Sequence, residues 1–74
     1  MKAYVEVTDT FGGETNYCWV RRYTVEGATE RAIVRKAKAC EGWQGWACRK
    51  DDFGDTVALY PRGACVVMFI NFGE

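Results

Sequence analysis

Seventy-four residues leave room for one hydrophobic core, and a chain this short buries only about 60% of the surface its unfolded form exposes. Hydrophobic residues at 49% and aromatics at 15% exclude a disordered tail. Ten basic residues cancel ten acidic ones, which argues against a wholesale DNA mimic and a generic polyanion binder, and the lack of histidine removes the commonest general base and transition-metal ligand.

Residues 3–8 alternate, with Ala3, Val5 and Val7 on one side and Tyr4, Glu6 and Thr8 on the other, the pattern of a half-buried strand. Asp9 to Glu14 supplies a turn around Gly12-Gly13, and Asn16 to Val25, rich in aromatic and β-branched residues, forms the returning strand. Glu26-Gly27-Ala28 breaks it. Thr29 is the expected N-cap of a helix running to Glu41, with Glu30 in its first turn and Gly42 just past its end. Ile33, Val34, Ala37 and Cys40 share one arc of that helix, while Arg31, Arg35 and Lys38 form a separate basic stripe. Three short strands follow, at 46–50, 56–60 and 65–72. The last is apolar on both faces, which predicts a central place in the sheet. The order β-β-α-β-β-β defines an α+β two-layer domain spanning 1–74, one helix on a mostly antiparallel sheet. The helix arc is expected to pack on inward residues that include Val5, Val20 and Val67.

One helix of this length, about 20 Å at 1.5 Å per residue, covers one face of a sheet and leaves the second open. Tyr17, Trp19, Arg21 and Tyr23 alternate along one side of the second strand, with Cys18, Val20 and Arg22 opposite. With Cys18 and Val20 placed toward the helix, three aromatics and an arginine occupy the open face, the composition of an interface core. This set is the expected partner surface, and Arg31, Arg35 and Lys38 a secondary basic stripe. Charge is unevenly placed: residues 21–50 carry eight basic and three acidic groups, the two flanks two and seven.

No metal, cofactor or catalytic site is expected. Asp51, Asp52 and Asp55 lack the spacing of a calcium loop and read as a polar hairpin turn. Gly12-Gly13 reads as a turn rather than an anion nest. Cys18, Cys40, Cys48 and Cys65 contain no close pair of the kind zinc sites use, so they are expected as reduced, buried thiols acting as small hydrophobes. A cysteine nucleophile would have no histidine beside it. Aromatics with flanking arginines on an open sheet also suit single-stranded nucleic acid, but zero net charge weakens the long-range attraction. No apolar segment suggests a signal peptide or a membrane span, and the expected location is a bacterial cytoplasm.

Asp9-Thr10-Phe11-Gly12-Gly13-Glu14 followed by Asn16-Tyr17-Cys18-Trp19-Val20-Arg21-Arg22 resembles the opening of small accessory proteins of tailed phages and prophages, a group with no established activity. Arg31-Ala32-Ile33-Val34-Arg35, Ala37-Lys38, Gly42-Trp43, Gly54-Asp55 and Pro61-Arg62-Gly63 extend the resemblance over most of the chain. It implies a phage context, in which small domains often block a host factor, as anti-CRISPR proteins do. The function expected is therefore non-enzymatic binding of a host protein or complex, a bacterial defence component first. A small-ligand sponge for a nucleotide signal, a single-stranded nucleic-acid binder, and a homodimer formed through the same face are the alternatives.

Overall fold

The computed structural model describes residues 1–72. Strand β1 (Lys2–Phe11) turns through Gly12 and Gly13 into β2 (Glu14–Glu26). Both glycines have φ in the left-handed region, 62° and 85°, which a two-residue hairpin needs and a Cβ penalises. Helix α1 (Glu30–Cys40) follows, then β3 (Cys48–Asp52), β4 (Thr56–Pro61) and β5 (Val66–Asn71). The strands form one antiparallel sheet in the order β2-β1-β5-β4-β3, so the doubly apolar β5 lies at its centre. The β-β-α-β-β-β order and the α+β class read from the sequence are those of the structure.

The helix starts where its cap was expected. Thr29 Oγ1 accepts the Ala32 N–H at 3.1 Å, and Glu41 closes the other end. Gly27 fits closely just before it: a Cβ there would stand 3.2 Å from Ile33 Cγ1 and 3.3 Å from the Ile33 nitrogen, tighter than ordinary van der Waals contact.

Directly paired residues of neighbouring strands share a face. Val5 pairs with Tyr23 and Ile70, Val7 with Arg21 and Met68, and Ile70 and Met68 pair in turn with Val57 and Leu59. Those aliphatic side chains, with Ala3 and Val25, bury Ile33 and Ala37 of the helix and Trp43 beyond it in one core. Three expected core members are not there. Val20 and Val67 both pair with Thr8, whose parity along β1 is opposite to that of Val5 and Val7, so they lie on the face away from the helix. Cys40, in the last turn of α1, is exposed.

Exposure also overturns the buried-thiol expectation. All four cysteines are free, but Cys18, Cys40 and Cys65 are exposed and Cys48 is half-buried, with Sγ 3.4 Å from the Trp46 carbonyl. Native protein is therefore expected to titrate three thiols quickly and the fourth slowly, with all four reacting after denaturation, since access governs thiol reactivity along with pKa. Two equivalents in denaturant would indicate a disulfide.

Both sheet edges are blunted. Met1 and Gly27 exchange backbone hydrogen bonds at 2.8 and 3.0 Å, and antiparallel alternation from that pair directs the backbone groups of Val20, Arg22, Thr24 and Glu26 outward. Lys36 Nζ covers the Glu26 carbonyl at 2.6 Å, and a bulge interrupts the strand before Val20. The opposite edge, β3, carries Arg49, Lys50, Asp51 and Asp52 in a row. Charges and bulges of this kind oppose pairing with another chain.

Candidate functional site

The face away from the helix is a grid of paired side chains. Thr24, Tyr4, Asn71 and Thr56 run across it in one row, and Arg22, Glu6, Phe69 and Ala58 in the next. A third row begins Val20, Thr8, Val67. In that third row Thr8 and Val67 are fully buried, and Ala58 beside them is too. The first two rows, apart from Ala58, instead line a depression of about 500 Å³.

A bulge in β2 completes it. Four residues, Asn16 to Trp19, stand opposite the single residue Asp9 of β1. The excess over one-to-one pairing is odd, so alternation carried back from Tyr23 and Arg21 fails at Tyr17. Tyr17 takes φ 55°, a left-handed conformation that costs a non-glycine residue roughly 1–2 kcal/mol. Its ring then lines the depression with Tyr4, Arg22 and Phe69.

Three hydrogen bonds hold this conformation. Asp9 Oδ2 accepts from Asn16 Nδ2 and Oδ1 from the Cys18 N–H, both at 2.8 Å, while the buried Thr8 hydroxyl donates to the Trp19 carbonyl at 3.0 Å. The Asn16 bond first, then the backbone amides, hold the Asp9 carboxyl below its ordinary value of 3.8 against a partial desolvation penalty. A depressed carboxylate stabilises the fold above its unfolded pKa, and that contribution is lost as pH falls through the lower folded one. Amide exchange at Cys18 should therefore accelerate in that acid window relative to Val7 in the sheet interior. Equal behaviour of the two amides would remove Asp9 from this role.

Arg22 and Glu6 pair directly across the strands, Nε to Oε2 at 2.9 Å, and present a cation and a carboxylate at the rim. Such exposed pairs add little stability. What the pair does here is hold both heads beside the tyrosines.

The four residues expected on the partner surface divide. Tyr17 is on it, by way of the bulge rather than by alternation. Tyr23 and Arg21 belong to the helix side: the Tyr23 hydroxyl donates to Glu41 Oε2 at 3.0 Å, and Arg21 Nη2 reaches Glu41 Oε1 at 2.5 Å. Tyr23 also lines the depression, beside Val5 with which it pairs. Burial, then the Glu41 carboxylate, pushes the Tyr23 hydroxyl well above its usual pKa, and the Glu41 hydrogen bond raises Arg21 as well. Trp19 does not line the depression; the Arg21 guanidinium stacks on its ring at 4.6 Å. Conversely, Arg22, on the opposite side of β2 from Arg21 and Tyr23, lines the depression, and so do Tyr4 and Phe69, which sequence reasoning does not single out. The Tyr4 alternation was visible in β1, but its meeting with Phe69 depends on β1 pairing with β5.

The expected basic stripe is also a surface feature. Arg31, Arg35 and Lys38 line a groove beside the helix, with Val34 at its base. Among the described residues no group of three or more cysteine, aspartate or glutamate side chains is placed to hold a metal ion, and no helix is long and apolar enough to cross a membrane. No family model matches the chain, and no curated protein or solved structure matches it either.

Proposed function

We propose that the chain is a non-catalytic binding domain working through the face of the sheet opposite α1, with Tyr4, Tyr17, Arg22 and Phe69 as its contact residues and a protein as its partner. The observation that carries this reading is Tyr17, an exposed aromatic held at a cost in backbone energy in the lining it shares with Tyr4 and Phe69. Strain kept at an exposed aromatic is the pattern of a preorganised contact. Tyr and Arg around an apolar depression are the residues that dominate interface energetics. The biological form proposed is an accessory protein of a tailed phage that blocks a host defence component in the bacterial cytoplasm. That form rests on the residue blocks quoted above and not on geometry.

A second reading is favoured by the concavity itself, because about 500 Å³ falls within the range of small-ligand pockets. In that reading the domain sequesters a planar ligand such as a nucleotide.

Affinity capture from infected-host lysate, run in parallel with wild type, Tyr4→Ala and Tyr17→Ala, tests both. A host protein retained by wild type and reduced at least tenfold by each variant, with melting temperatures kept, supports the first reading. A stoichiometric small molecule released from wild type by heat and absent from the variants supports the second. Equal retention by wild type and both variants sinks the site.

A further inference from the structure

A second surface, separate from the aromatic face, runs along α1. Two adjoining depressions of about 440 and 320 Å³ share Arg31 and Val34 and so form one groove. Arg31, Arg35 and Lys38 follow one another along its helix wall at spacings of four and three residues, and Lys50 of β3 joins Arg31 from the sheet side. Its base is apolar, made by Val34, Val57 and Phe72. Among the described residues that line it, Glu30 is the one carboxylate.

Among the described residues these cations are poorly compensated. The ion pairs among the described residues use Arg21, Arg22 and Arg49. Arg31, Arg35 and Lys50 make none of them, and Lys38 donates to a neutral acceptor, the Trp46 carbonyl, at 3.1 Å. Helix neighbours three and four residues apart lie about 5–6 Å from one another. That is inside the screening length of about 8 Å at physiological salt, so the row repels itself. An anion lying in the groove removes that repulsion. Guanidinium forks match phosphate oxygens two at a time.

We propose that this groove binds the phosphate backbone of single-stranded nucleic acid, with Arg31, Arg35, Lys38 and Lys50 on phosphates and the bases against the apolar base and Phe72. An apolar, partly aromatic floor between cationic walls is the arrangement of single-strand binding channels, and an acidic peptide would leave that floor unused. Zero net charge for the whole chain is compatible with this, because the attraction is local to the groove.

The test is fluorescence anisotropy with a labelled oligothymidine of about 16 nucleotides, titrated between roughly 50 and 200 mM salt. Four phosphate contacts on a single strand predict a slope of log K against log salt near about −3. Arg31→Ala with Arg35→Ala should bring the slope to about −1.5 and weaken binding at least tenfold at low salt. Both residues are exposed on the helix and alanine is its best former, so the double variant should keep its melting temperature. Tyr17→Ala should bind as wild type, which separates this site from the aromatic face. Absence of binding at low salt, binding indifferent to the double variant, or binding lost in Tyr17→Ala overturns the proposal. Equal competition by polyglutamate at matched charge overturns it in favour of an acidic protein segment.

Discussion

Ile33→Ala is expected to lower the unfolding free energy by about 2–5 kcal/mol, through lost burial and the cavity left behind. Ile33 is fully buried at the centre of the helix–sheet contact, beside Gly27, whose missing Cβ lets the chain pass over it. A domain of this size holds about 0.05–0.15 kcal/mol per residue, so the loss approaches the whole of its stability. Val34, next along the helix, is only half-buried and packs at the margin of the same core. Val34→Ala should cost a small fraction as much. Urea unfolding of the two variants checks the contrast, and comparable midpoints would place the helix with the wrong side inward.

Glu41→Ala should cost on the order of 1–3 kcal/mol, because it strips hydrogen-bond partners from groups arranged around a nearly buried carboxylate. The Glu41 side chain is 6% exposed, while Arg21, its ion-pair partner, is 56% exposed and can recover water. Tyr23 is the half-buried member and bears the greater loss. Tyr23→Phe, which removes the hydroxyl and leaves Arg21 on Glu41, should therefore be milder. The pair also separates structure from binding. If Arg21 and Tyr23 belong to the helix side, Glu41→Ala lowers the melting temperature without reducing partner capture per folded molecule. A Glu41→Ala protein that melts like wild type but captures nothing would return those residues to the partner surface.

The residues that misled the reading of β2 show where local rules stop. Element order, the Gly12-Gly13 hairpin, the Thr29 cap, the Gly42 stop and the central β5 all follow from alternation, capping chemistry and apolar runs. Each is a property of a few consecutive residues, so none needs knowledge of what lies across the fold. Alternation also showed that Arg21 and Tyr23 share a side of β2. Which side that is depends on Glu41, which is 20 and 18 residues away and meets them only once α1 has docked. The placement of Tyr17 depends on four residues of β2 facing one of β1. Nothing in Asn16-Tyr17-Cys18-Trp19 announces a bulge, because its cause is the Asp9 carboxylate collecting Asn16 and the Cys18 amide from the neighbouring strand. The basic stripe was legible because helical periodicity is local, whereas its fourth cation, Lys50, joined it through the packing of the β3 end of the sheet beside the helix. Composition and periodicity thus settled which elements form and which residues travel together. Pairing register and the docked helix settled which face each group meets, because both arise from contacts between segments that one-dimensional patterns do not relate.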